Sequence, residues 1–121
     1  MNAKSTVQRC KTERERLNKL VMKHASLKMK KFYSLDTQAY LDGALPKKTK
    51  EMLGLVASFV LRCDDCISYH LTRCHDEGIT DQELEEALNI GLVVGGSITI
   101  PHLRKAFNAW EEIKQSVRKK K

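Results

Sequence analysis

No stretch of eighteen apolar residues occurs in this chain, and the basic N-terminus is not followed by an apolar run with a cleavage site. The expectation is a soluble, cytoplasmic protein rather than a membrane-spanning or secreted one. Aromatic residues are scarce at 6% and there are only two prolines, a composition poor in the residues a β-sandwich or barrel uses for packing and turns. With Leu, Ala, Lys and Glu abundant, an all-α fold is expected instead. The four cysteines, Cys10, Cys63, Cys66 and Cys74, are too few and too clustered for a secreted disulfide scaffold. No strand-like segment runs into a Gly-rich turn, so the flavin and nicotinamide fingerprints are missing and no cofactor is expected.

What remains is a basic chain of 121 residues, long enough for one hydrophobic core. It is read as a single domain, with an N-terminal helical segment over 1–44, a core over 45–117 and a basic tail over 118–121. The net charge of +7 is unevenly spread. Residues 1–31 hold ten Lys or Arg against two Glu, residues 104–121 seven against two, and residues 32–103 five against eleven acids. Basic ends of this kind can bind nucleic acid or an anionic membrane surface. The preferred reading is plainer: solvated faces of terminal helices, or contacts with the acidic centre of a neighbouring subunit.

From Ser5 to about Met29 no Gly or Pro interrupts the chain, and Val7, Cys10, Leu17, Leu20, Val21, His24 and Leu27 recur at helical spacing. One long amphipathic helix is predicted there, its sparse apolar stripe suited to packing on another subunit. Cys10 and His24 lie on that stripe and are read as packing or surface residues. Residues 30–33 read as a connection to a short helix capped by Ser34 or Asp36 and stopped at Gly43; Tyr33 and Tyr40 could border a pocket, with core or interface packing the preferred reading. Pro46 opens a third helix whose run from Met52 to Leu61 is apolar nearly all round, the mark of a buried central helix with Glu51 near its start.

A fourth helix is predicted from about Cys63–Asp65 to Gly78. Thr80 and Glu83 form a capping box for the next, with Ile79 stapling onto Leu84. Its buried face is expected to be Leu84, Ala87, Leu88, Gly91 and Val94, with Gly91 and Gly95 permitting a close crossing. After Gly95-Gly96, Ser97 can cap a last long helix that tolerates Pro101 in its first turn. That helix offers Ile100, Leu103, Phe107, Trp110, Ile113 and Val117 to a core or subunit seam, and Arg118–Lys121 is read as disordered.

The chemistry concentrates in the fourth helix. At about 100° per residue, Cys66, His70 and Cys74 share one face, with Cys63 at its leading edge. Cysteines separated by two residues are read first as a redox pair, in which one thiolate attacks and the other resolves the adduct as a disulfide. Thiols in the first turn of a helix meet free N–H groups and the positive end of the dipole, which favour the thiolate. Asp64 and Asp65 oppose it. A different class of site is also open, since Cys63, Cys66, His70, Cys74 and His75 could supply four ligands to a structural zinc. Ligands crowded on one helix do not readily surround a tetrahedral ion, and no metal is expected.

The full spacing is Glu51, eleven residues, Cys63, two residues, Cys66, three residues, His70. It resembles the alkyl hydroperoxidase D branch of the carboxymuconolactone decarboxylase superfamily. The resemblance covers roughly Leu45 to Phe107 and takes in the turn Gly78-Ile79-Thr80, the acidic helix after it and the Gly95-Gly96 break. It implies a compact helical fold assembled as a trimer or hexamer. It further implies that Glu51 orients His70 and that His70, directly or through a water, takes the proton of Cys66. Cys66 would then attack the terminal oxygen of a hydroperoxide, and Cys63 would close the disulfide. The implied partners are the hydroperoxide and an external dithiol protein that regenerates the pair.

Where the family's better-known peroxidase has a histidine just before the second cysteine, this chain has Asp65, which removes one proton carrier. His102 stands where the family often lines its pocket. The superfamily's other branch implies a lactone-processing decarboxylase, a chemistry with no need of two thiols. The basic ends alone would suit a non-catalytic nucleic-acid-binding module. The preferred reading is a peroxiredoxin-type hydroperoxide reductase with Cys66, Cys63, His70 and Glu51 as its catalytic residues.

Overall fold

The computed structural model describes residues 5–119. Among them are α1 (Thr6–His24), α2 (Leu27–Ala39), α3 (Lys47–Val60), α4 (Asp64–Asp76), α5 (Asp81–Gly95), a 3₁₀ turn at Ser97–Thr99, and α6 (Ile100–Lys119). The all-α architecture expected from composition is what the chain adopts. Helix α4 lies between α3 and α6, α1 crosses both α4 and α6, and α5 covers a further side of α3.

The core follows from the apolar stripes of the last four helices. Leu55 and Phe59 of α3 meet Ile67, Leu71 and Cys74 of α4, while Leu84 and Leu88 come from α5 and Ala106, Trp110 and Ile113 from α6. Each large apolar side chain buried in this way stabilises the fold by about 1.5–3 kcal/mol. Trp110 is buried with its polar edge satisfied, its indole N–H donating to Asp81 Oδ1 at 2.7 Å. The predicted capping box is present at Thr80 and Glu83, and Ile79 and Leu84 are both buried beneath it.

The N-terminal third departs from the single long helix its periodicity suggests. Helix α1 ends at His24, Ala25 is extended, and α2 starts at Leu27, so residues 30–33 are helical rather than a connection. Ser34 and Asp36 are not caps but lie within α2, where the Ser34 hydroxyl accepts from Gln38 Nε2. Neither helix contributes a buried residue: α1 is fastened to the body by Val7 N–H on Glu112 and by Arg14 on Asp65, and α2 stands beside α4 with Ser26 as its N-cap. No Gly or Pro marks the corner, which is why periodicity ran through it.

Three further expectations are corrected. The apolar run of α3 is not buried all round, for Leu53 is 55% and Leu61 76% exposed. Val94 is not on the buried face of α5 but 71% exposed, whereas Gly91 is buried where a Cβ would fall 2.5 Å from the Phe59 ring. The close crossing expected at Gly91 and Gly95 is present, since a Cβ at Gly95 would lie 3.9 Å from the Val60 backbone of α3 as well as 2.6 Å from Thr99 of the following turn. Arg118 and Lys119 belong to α6 rather than to a disordered tail, and residues 120–121 lie outside the described residues.

Candidate active site

The site begins where α3 hands over to α4. Arg62 takes up a left-handed conformation at φ 60°, and the turn is closed by Arg62 N–H on the Phe59 carbonyl and Cys63 N–H on the Ser58 carbonyl. A left-handed residue other than glycine is strained by about 1–2 kcal/mol, and here that strain sits next to the cysteine pair. The turn makes Cys63 the N-cap of α4, with its sulfur accepting the Cys66 N–H at 3.3 Å. The two sulfurs are joined as a disulfide across Cα atoms 5.3 Å apart, at the helix end where free N–H groups would stabilise a thiolate after reduction.

One helical turn beyond Cys66 stands His70, only 8% exposed. Its Nδ1 lies 3.0 Å from Glu51 Oε1. Glu51 is 2% exposed, an acid buried in the second turn of α3. Because a carboxylate only accepts, this contact assigns the proton of the neutral ring to Nδ1 and leaves Nε2 as the basic nitrogen. On the other side of the ring the Tyr40 hydroxyl lies 3.4 Å from Nε2.

A cleft of about 440 Å³ opens over this arrangement, lined by Cys66, Tyr69 and His70 of α4, Arg14 of α1, and Tyr33 and Asp36 of α2. Cys66 lines it and is exposed, whereas Cys63 is half-buried and outside the lining. A molecule entering the cleft therefore meets the Cys66 sulfur with an imidazole one turn below it.

The two acids beside the cysteines are both countered by cations. Asp64 accepts from His102 Nδ1 at 2.7 Å and from Lys105 Nζ at 3.2 Å. Partial burial raises its pKa, but these hydrogen bonds and charges outweigh that and hold the carboxyl below the usual carboxylate range. Asp65 pairs with Arg14 at 2.9 Å, and the same guanidinium lies over the Tyr69 ring. Half-exposed pairs of this kind contribute about 0.2–1 kcal/mol each. Their importance here is local, because they mute the two negative charges that would otherwise disfavour a thiolate in the first turn. His102 thus reaches the site's edge through Asp64 and does not line the cleft.

The remaining candidates fall elsewhere. Cys74 is fully buried, and that burial pushes its thiol up to about 12, so it stays protonated at neutral pH. His75 packs edge-on against Trp110, His24 is exposed, and Cys10 is half-buried on α1. Among the described residues no three His, Cys, Asp or Glu side chains gather in a way that could hold a metal ion. Tyr40, read from sequence chiefly as a packing residue, meets His70, a contact that sequence reasoning did not name. A signal for it was present in Gly54, a glycine inside an apolar helix three residues past Glu51.

The sequence model of the carboxymuconolactone decarboxylase family matches residues 29–112, starting within α2 and so earlier than the motif resemblance from Leu45. Among solved structures, a carboxymuconolactone decarboxylase family protein of Thermotoga maritima is 51% identical and superposes with a TM-score of 0.87, over 92% of this chain and 94% of that one. A part in the antioxidative response has been suggested for that protein. A second member of the family, from Legionella pneumophila and in its apo form, is 32% identical with a TM-score of 0.77, over 86% of this chain and 92% of that one. An uncharacterized protein of the cox locus of Paracoccus denitrificans is 29% identical over 82 residues, which span 68% of this chain and 74% of that one. With a match that takes in Glu51, Cys63, Cys66 and His70 and reaches from α2 into α6, the chain belongs to the carboxymuconolactone decarboxylase family.

Proposed function

We propose that the protein is a thiol-dependent hydroperoxide reductase. The observation that carries this reading is the alignment of Cys66 and His70 on one cleft, with His70 Nδ1 held by the buried carboxylate of Glu51. The similarity to a Thermotoga maritima protein linked with antioxidative response supports it. In the reduced protein the proton of Cys66 passes to His70 Nε2, and the thiolate attacks the terminal oxygen of the hydroperoxide. The O–O bond breaks, the leaving alkoxide takes the proton from the imidazolium and departs as an alcohol, and Cys66 is left as a sulfenic acid. Cys63 then attacks that sulfur and its own proton leaves with the hydroxide as water. The Cys63–Cys66 disulfide corresponds to the oxidised end of this cycle. An external dithiol returns the pair to thiols by exchange and is itself oxidised to a disulfide.

The test starts from reduced protein freed of reductant, to which one equivalent of an organic hydroperoxide is added under argon before thiols are mapped by mass spectrometry. Rapid, stoichiometric Cys63–Cys66 disulfide is expected, and none in Cys66→Ser. Two free thiols after that addition would sink the reading.

Self-association belongs to the same proposal. Leu27, Phe32 and Leu35 of α2 and Ile90, Val93 and Val94 of α5 are exposed apolar side chains, more than a free 13.8 kDa subunit usually shows. Light scattering is expected to give the mass of a trimer or hexamer. A monomer at micromolar concentration would remove this part of the proposal.

A further inference from the structure

Tyr40 caps the C-terminus of α2, and its hydroxyl faces the nitrogen of His70 that Glu51 leaves free. The two rings are tilted at 40° with centroids 5.5 Å apart. A glycine makes the contact possible. A Cβ at Gly54 would fall 2.6 Å from the Tyr40 hydroxyl and 2.7 Å from His70 Cε1, so an alanine there would force the two groups apart. Glycine weakens a helix interior relative to alanine, and the space it leaves in α3 is filled by these two polar groups. Tyr40 is also held in place from below. Lys50 Nζ donates to the Leu41 carbonyl at 2.7 Å and the Lys47 N–H donates to Asp42 at 2.6 Å, fastening the end of α2 to the start of α3.

We propose that Tyr40 is a positioning residue for the thiol chemistry of Cys66, acting through His70 by accepting the N–H that Nε2 gains when the ring is protonated. The inference rests on the reading of Cys66 as the reacting thiol and His70 as its proton acceptor. Against the neutral ring, the Nε2 lone pair is left to the Cys66 S–H. When Nε2 takes the Cys66 proton, the Tyr40 oxygen accepts the new N–H and Cys66 is left as the thiolate. That bond is charge-assisted and exists only in the protonated ring. Tyr40 therefore favours the thiolate–imidazolium pair over the thiol–imidazole pair. Burial, aided by Asp36, Glu51 and Tyr69, raises the ionisation of the phenol above its ordinary range, so Tyr40 meets the ring as a neutral hydroxyl.

The charged and titratable groups around Cys66 and His70 are Glu51 of α3, Asp36 of α2, Arg14 of α1, Asp64, Asp65 and Tyr69 of α4, and His102 of α6 on Asp64. Tyr40→Phe alters the charge of none of them. A moved pH profile in that variant reads the hydroxyl itself.

The experiment alkylates the reduced protein with iodoacetamide from about pH 5 to about pH 9 and follows each cysteine by peptide mass spectrometry. In Tyr40→Phe the Cys66 rate near neutral pH is expected to fall about tenfold, with its midpoint moved up by about one pH unit. Gly54→Ala presses on both the hydroxyl and the His70 ring and is expected to lose at least as much. Adding Tyr40→Phe to Gly54→Ala should cost nothing further, because the hydroxyl contact is already gone. Circular dichroism and urea midpoints check that the variants fold, and Tyr40→Leu repeats the test if Tyr40→Phe does not fold. An unchanged Cys66 rate and profile in the folded variants would overturn the inference. Losses that multiply in the double variant would overturn it as well. Alkylation uses no peroxide, so a wild-type protein that fails to form the disulfide with hydroperoxide would remove the peroxidase reading and leave this result standing.

Discussion

Glu51→Gln is expected to slow hydroperoxide-driven formation of the Cys63–Cys66 disulfide about a hundredfold while leaving the fold nearly as stable, and Glu51→Ala to lose both. Glutamine fills the same space against His70 but carries no charge. When His70 takes up a proton, a carboxylate 3.0 Å away stabilises the new positive charge, and a neutral amide does not. At an effective dielectric near 20, opposite charges about 4 Å apart attract by about 4 kcal/mol, so a hundredfold loss, about 2.7 kcal/mol, is within reach of that one term. The amide can also turn its NH2 to Nδ1 and move the ring proton to Nε2, the nitrogen that must stay free to accept. Alanine instead leaves the Nδ1–H buried without a partner, which costs about 1–3 kcal/mol in stability, and opens a cavity besides. Rapid-quench disulfide mapping reads the first effect and urea denaturation the second. A Glu51→Gln protein that reacts at the wild-type rate would reduce Glu51 to a packing residue.

How far such a site can be read without coordinates depends on how local its causes are. The common face of Cys66 and His70 follows from helix geometry alone, and the capping box at Thr80 and Glu83 is written in adjacent residues. The approach of Glu51 to His70 is not local. It depends on α3 packing against α4, and it was legible only because the spacing from Glu51 to His70 resembles a family pattern. The corner at Ala25 carried only the weak signal of Ser26, the N-cap of α2, with no Gly or Pro beside it. The contact of Tyr40 with His70 was equally non-local. Its neighbours in sequence say nothing of His70, thirty positions away, and the only trace lay in the awkward glycine at position 54 of a different helix. The ion pairs that mute Asp64 and Asp65 were equally hidden, since their cations come from α1 and α6, the two ends of the chain.

Cys74 should give the protein a steep loss of stability in alkali. Its thiol is fully buried one turn beyond His70, and burial, with smaller contributions from Glu51 and Glu77, raises it from an ordinary value near 9 to about 12. The sign follows from which state releases the proton. Between those two values the unfolded chain gives up the Cys74 proton and the folded protein keeps it, so folding weakens as pH rises, by about 1.4 kcal/mol per pH unit. Below about pH 8 both states hold the proton and the thiol adds no pH dependence. Cys74→Ala lacks this slope but starts lower because of the cavity left among Ile67, Leu71 and their neighbours. Urea denaturation of the disulfide form from about pH 8 to about pH 10.5 should therefore show the two stability curves converging with rising pH. Parallel curves would mean that the thiol ionises in place or that the core opens to admit it. The same burial bears on the redox site. A third thiol lying on the helical face of Cys66 could divert its sulfenic acid into the wrong disulfide, and a protonated thiol sealed in the core is a poor nucleophile at neutral pH, which leaves Cys63 as the partner free to react.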